Sequence, residues 1–257
     1  MLNGVKKILL SLMMLTVIAA GTSLSFASEA TTLFAYVGAG LKGPASELAA
    51  LYEKKTGVKI EMTFNSSGAL LSQLELTKKG DIYMPGAMSF VMQAKGKGYL
   101  GEMVGPLAYH VPVIITPKGN PAQISGITDL AKPGIQLIMP DQQGTALGKT
   151  AFKIFTKLDI AKEVQKNILA SVETGPKVMA TMMMGQGNAG ISEYSEAFKN
   201  QDQLELILID PAVNEAEEIP CAMLTCTRQK GAALAFLKFV KQEGPKVFAS
   251  HGFKVNR

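Results

Sequence analysis

From residue 31 onward the chain alternates short β-branched or apolar runs with longer amphipathic ones, and the turns between them carry glycine and hydroxyl residues. That alternation limits the fold more than any other feature. TTLFAYV reads as a strand, and GAGLKGPASELAALYEKKTG as a turn and helix with Pro44 in the first turn and Gly57 at its end. VKIEMTF is a second strand, residues 69–79 a helix, and DIYMPGA a third strand. Strand, helix, strand, helix, strand at this spacing builds a parallel sheet with helical crossovers.

Residues 88–99 predict another helix and YHVPVIITPKGNP one long apolar strand, after which the order restarts. ITDLAKPG leads to the strand QLIMP, the turn DQQGTALG and the helix KTAFKIFTKLD. Helices are expected through IAKEVQKNILASV and GPKVMATMMMGQ, strands at NAGISEY, LELILID and EEIPCAMLTCT, and two closing helices at GAALAFLKFVKQEG and PKVFASHGF. The reading is an α/β chain of two lobes: residues 28–112 open lobe 1, residues 113–215 form lobe 2, and residues 216–257 return to lobe 1.

The first 27 residues carry Lys6 and Lys7, then an apolar run, then Ser25 and Ala27 flanking Phe26. This is the pattern of a secretory leader cut after Ala27, and the run from Ile8 to Ala20 is short for a spanning helix. The expected location is therefore extracytoplasmic. The whole chain has a net charge of +5, and losing two lysines with the leader lowers it to +3. The lysines are scattered, no basic run is interleaved with aromatics, and nucleic acid is not an expected partner. Cys221 and Cys226 read as two buried thiols on opposite faces of one strand rather than a disulfide. With two histidines far apart in sequence, His110 and His251, no metal site or cofactor is expected. Met182 to Met184 read as helix packing.

Four turns place small or hydroxyl residues at helix starts: Ala39-Gly40, Ser66-Ser67-Gly68, Gln143-Gly144-Thr145 and Thr174-Gly175-Pro176. Ser and Thr suit the residue before a helix, and the first turn exposes amide hydrogens at a positive dipole end, which makes an anion seat. In open α/β sheets such starts lie at the carboxyl edge of the strands, where ligands bind. Two turns come from each lobe. If the lobes face each other, the expected ligand is a small oxyanion held by amides and hydroxyls rather than by full charges.

At these residues the chain resembles the periplasmic substrate-binding proteins of ABC importers, most of all the molybdate- and tungstate-binding group. The resemblance runs from about residue 32 to the end, on FNSSGAL, GDIYMPGA, VPVIITPKGNP with ITDLAKPG, GNAGISEY and AFLKFVKQEGPKVFASHGF. It implies the two-lobed type II binding-protein fold, with mixed sheets and crossing strands as a hinge. It also implies closure on the ligand, a monomer, and delivery to a membrane permease. The ligand-binding residues so expected are Ala39, Gly40, Ser66, Ser67, Gly144, Thr145, Gly175 and one or both of Glu193 and Tyr194.

Two departures stand out. Gly40 occupies the place of the family's usual first-turn serine, and Glu193 falls where its ligand-touching tyrosine is expected, with Tyr194 one place on. A carboxylate facing a dianion is unfavourable. Tyr194 takes the role, or Glu193 points elsewhere, or the ligand is a small organic anion or metal chelate. Lys177 reads as a solvated helix lysine. A hydrolase built on Ser66 or Ser67 needs a base that only His110 or His251 could supply, and the turn is no G-x-S-x-G elbow. The chain is not expected to be an enzyme, and a ligand sensor for a membrane receptor is the other binding role open to it.

Overall fold

The computed structural model describes residues 31–256, so the leader expected at residues 1–27 lies outside the described residues. No helix among the described residues is long and apolar enough to cross a membrane. Two five-stranded sheets organise the chain. In the first, β1 (Thr32–Gly38) runs parallel to β2 (Lys59–Asn65) on one side and β3 (Ile82–Met84) on the other. β10 (Glu217–Leu224) pairs antiparallel with β3 and with β4 (Leu100–His110), which closes the edge. In the second, β6 (Leu137–Pro140) runs parallel to β7 (Ile168–Val172) and β8 (Ala189–Glu193). β5 (Pro112–Pro117) then pairs antiparallel with β8 and with β9 (Leu204–Leu208). Both sheets are mixed and the molecule is two-lobed α/β. The chain leaves the first sheet after His110 and returns at Glu217, so two crossings join the lobes.

Helices cover both faces of each sheet, which is why the central strands read as nearly continuous apolar runs. On one face of the first sheet, α1 (Lys42–Thr56) buries Ala45, Leu48, Ala49 and Tyr52, a spacing that lines one side of a helix. Tyr52 meets Phe236 and Phe239 of α8 (Lys230–Ser250), each at 5.1 Å between ring centroids. Gly57, at φ 73°, ends α1 in the left-handed conformation that favours glycine. On the other face, α2 (Ser67–Thr77) and α3 (Met88–Gly96) bury Leu70, Leu71, Leu74, Phe90 and Val91. Ala146, which opens α4 (Ala146–Lys157) of the second lobe, joins that same cluster, so the lobes share apolar packing beside their cleft.

Several local expectations need correction. YHVPVIITPKGNP is not one strand: the chain turns at Val111, and Tyr109 and His110 end β4. The reading passed over most of β4 because its first half is exposed and holds Gly101, Gly105 and Pro106, a composition tolerated at a sheet edge. IAKEVQKNILASV is a short helix, α5 (Ala161–Asn167), followed by β7, whose half-exposed alternation marks an edge strand. The two closing helices are one, α8, which passes through Pro245 because Phe236, Val240, Val247 and Phe248 are buried on both sides of it. Cys221 and Cys226 are both free, but only Cys221 is buried in a strand; Cys226 lies past the end of β10. Of the three methionines only Met182 packs inside, and Met184 is 68% exposed.

Candidate functional site

Three helix N-termini and one short turn open onto a cavity of about 50 Å³ between the lobes. Lobe 1 contributes Ala39, Gly40, Ser66 and Ser67, and lobe 2 contributes Thr145, Gly175 and Glu193. Ser67 and Thr145, far apart in sequence, therefore face one hollow. Helix geometry leaves the first-turn amides of α2, of α4 and of α6 (Gly175–Met183) without intrahelical acceptors, with each positive dipole end toward the same space. None of the lining residues is a lysine or an arginine. Lys177, in the first turn of α6, is tied instead to Glu173 at 2.8 Å on the exposed surface.

The donors differ between the lobes. Ser67 is buried, and its Oγ accepts the Gly86 amide at 3.1 Å, which leaves its own proton free to donate. Ser66 precedes the helix without a capping bond through its side chain. Thr145, by contrast, spends its hydroxyl on the fold: Oγ1 accepts the Gly148 amide at 2.8 Å and donates to the Asp141 carbonyl at 2.7 Å. The Asp141 carboxylate accepts the amides of Gln143 and Gly144 at 3.0 and 2.6 Å, so the DQQGT turn is held by its own side chains. What lobe 2 has left to offer at this point is backbone amide beyond Thr145.

Two of the expected residues do not line the cavity. Gly144 uses both backbone groups elsewhere, its amide on Asp141 and its carbonyl on the Gly68 amide at 2.8 Å across the lobes. Tyr194 begins α7 (Tyr194–Lys199); its ring stacks on Phe198, Lys254 sits 4.2 Å from its centroid, and its amide bonds the Val111 carbonyl. β8 ends at Glu193, so Glu193 faces the cavity and the next residue turns away.

Glu193 caps α7. Its Oε2 accepts the Ser195 amide at 2.8 Å, the Ser195 hydroxyl, and the Glu196 amide at 3.4 Å. Its Oε1 is buried without a partner. Burial pushes the carboxyl up to about 7; the capping bonds hold it down in part, and the Glu196 charge raises it further.

His110 also lines the cavity, a role the sequence reading missed. It is buried at the end of β4, and Gly40 and Gly86 make room for it: a Cβ at those positions would lie 3.6 and 3.1 Å from its ring. Its other neighbour is Phe253, edge to face at 5.8 Å. Desolvation holds its imidazole at about 4, so the ring is neutral near pH 7, and Nδ1 has no partner. The available sign was positional, since His110 stands at a strand's end just before the chain crosses between lobes.

The model of the bacterial extracellular solute-binding protein family matches residues 33–254. A putative binding protein of Haemophilus influenzae is 28% identical over 230 residues, 89% of this chain and 93% of that one. The periplasmic molybdate-binding protein of Azotobacter vinelandii superposes with a TM-score of 0.72 at 14% identity, over 88% of this chain and all of that one. The sulfate-binding protein of Mycobacterium tuberculosis gives 0.77 at 18% identity, over 87% and 86%. At these identities the two structures speak to the fold alone, while the family match spans nearly all the described residues. The chain belongs to the bacterial extracellular solute-binding proteins.

Proposed function

We propose that this protein captures a small oxyanion between its lobes, molybdate or tungstate first among the candidates, and delivers it outside the cytoplasm to an ABC permease. The observation that carries the reading is the cavity itself: about 50 Å³, faced by the N-termini of α2, α4 and α6, and without a lysine or arginine. Amide and hydroxyl donors to a charged oxygen contribute roughly 1.5 to 3 kcal/mol each, so a few of them suffice for micromolar capture after the cost of association. The volume suits a tetrahedral anion better than a sugar or peptide. Among the described residues neither histidine is placed to activate a serine: His251 pairs with Glu47 at 2.8 Å, and His110 makes no hydrogen bond to Ser66 or Ser67.

A second reading is favoured by one feature. Glu193 Oε1 lacks a partner, and a small organic anion with a hydroxyl of its own would satisfy it. Titration calorimetry of the leaderless protein against molybdate, tungstate, sulfate, phosphate and small hydroxy acids separates the two. Heat with molybdate or tungstate at micromolar concentration is the expected result. Heat with the hydroxy acids alone moves the assignment to the organic anion.

A further inference from the structure

We propose that Glu193 couples capture to a proton: one proton sits between its free Oε1 and an oxygen of the bound oxyanion, and a ligand that brings none makes the protein take one from solution. The inference rests on the oxyanion reading above and deepens it.

The carboxyl cannot turn away from the cavity. Its Oε2 is fixed by the Ser195 amide, the Ser195 hydroxyl and the Glu196 amide, so rotation would uncap α7. Oε1, buried and unpartnered, remains beside the space the anion would occupy.

Among the described residues no neighbouring cation relieves the two negative charges. From α7, Glu196 adds another carboxylate at the cavity, and from the end of β4 the His110 ring is neutral. At the start of α6, Lys177 is held by Glu173. From the C-terminal segment, Lys254 lies over the Tyr194 ring, and the Lys199 stem borders Gly252. β5 brings Pro112 opposite Glu193, which carries no charge. An ionised Glu193 and a dianion in one dry hollow repel each other, whereas a shared proton turns the repulsion into a charge-assisted hydrogen bond.

For a fully deprotonated dianion, ionised Glu193, one proton from solution and the ligand give a protonated carboxyl that donates from Oε1 to the anion. For a ligand that keeps a hydroxyl, such as hydrogenphosphate, that hydroxyl donates to the ionised carboxylate and nothing is taken up. No covalent bond of the ligand changes. Because burial already raises the carboxyl to about 7, the proton demand begins near neutral pH.

The test is calorimetry with molybdate and with phosphate between about pH 6 and about pH 9, in two buffers of different protonation heat. The expected molybdate affinity is level below about pH 7 and falls about tenfold per unit above it, with uptake approaching one proton per ligand. The phosphate affinity is expected to hold above about pH 7, where the free anion is hydrogenphosphate and Glu193 is already ionised. Glu193→Gln keeps a carbonyl to cap α7 and offers an amide N–H to the anion, so its molybdate affinity should lose the alkaline decline. Molybdate binding by the unmodified protein with no proton uptake and a level profile overturns this inference and leaves the oxyanion reading intact, as does a Gln variant that keeps the original slope. No binding of any anion at about pH 6 overturns both.

Discussion

At one point beside the cavity the lobes meet backbone to backbone, and Gly68→Ala probes that contact. Gly68 is the second residue of α2, and its amide donates to the Gly144 carbonyl of the other lobe at 2.8 Å. A Cβ at Gly68 would lie 3.0 Å from both the Gly144 Cα and the Gly144 oxygen, tighter than ordinary van der Waals contact. Since both obstructing atoms are backbone, no rotamer change relieves the clash and the lobes must part by a few tenths of an ångström. Overpacking of this kind costs about 1 to 3 kcal/mol, and stretching the hydrogen bond up to about 1 more. If the lobes open without ligand, as the resemblance implies, a combined loss of about 2 kcal/mol falls on the closed form alone and weakens ligand binding roughly 30-fold. Ligand-free stability should move the other way: Gly68 is helical, and alanine there is favoured by about 0.5 to 1 kcal/mol, or roughly 1 to 4 °C. Gly96→Ala, at a site with nothing within 4 Å of the new Cβ, is the control and should leave affinity unchanged. Calorimetry and thermal unfolding read the two quantities separately. Affinity within about threefold of the unmodified protein, or a loss of affinity matched by a fall in ligand-free stability, refutes the argument.

Ser67→Ala should weaken oxyanion binding by about 1 to 3 kcal/mol, because it removes one hydroxyl donor and leaves the Gly86 amide without its acceptor; unchanged affinity in calorimetry removes Ser67 from the site. The two buried titratable groups predict opposing pH dependences of ligand-free stability. Glu193, raised from 4.5 to about 7, contributes stability that is full below about pH 4.5 and lost as pH rises through about 7. His110, lowered from 6.5 to about 4, contributes stability present above about pH 6.5 and lost as pH falls through about 4. The two slopes nearly cancel between them, so the unmodified protein should show a level profile there. Relative to it, Glu193→Gln should gain about 3 kcal/mol between about pH 4.5 and about pH 7, a shift of roughly 10 °C in thermal melts. Parallel profiles for the two proteins would show that Glu193 does not titrate as its burial requires.

What the sequence made legible was whatever rests on local periodicity and turn chemistry. β1, β2, β3, β6 and β8 are central strands whose apolar runs and glycine boundaries read directly, and the turns at Ser66 and Thr145 announce helix starts. Edge elements were harder, because β4 and β7 are half-exposed and borrow their order from a neighbouring strand rather than from their own composition. Pro245 misled for a related reason, since tertiary packing on either side of it overrides its helix-breaking preference. In the site, local chemistry pointed to loops that line the cavity and went no further. Whether a threonine hydroxyl is free or spent on its own turn depends on the Asp141 carbonyl four residues back. Whether Glu193 or Tyr194 faces the hollow depends on where β8 ends, and a one-residue difference reverses the answer.

The two lobes bring unlike donors to the cavity, and on the proposed oxyanion reading that division bears on how anions of similar shape would be told apart. The lobe 2 loop is preassembled: Asp141 holds Gln143, Gly144 and Thr145, and α4 can approach it only because Gly148 lacks a Cβ, which would lie 2.2 Å from the Asp141 carbonyl. Lobe 1 offers two serines, and the Ser67 hydroxyl can turn its proton to suit the anion. On the proposed oxyanion reading, anion radius would be read neither by the stiff loop nor by the rotating hydroxyl, but by how near the two lobes can come. One stop to that approach lies where Gly68 meets Gly144, a contact made of backbone on both sides with no side chain to compress. If the ligand is the oxyanion proposed above, one too small for the hollow cannot draw the lobes closer and one too large holds that hydrogen bond open, which would put size selection at a pair of glycines beside the cavity.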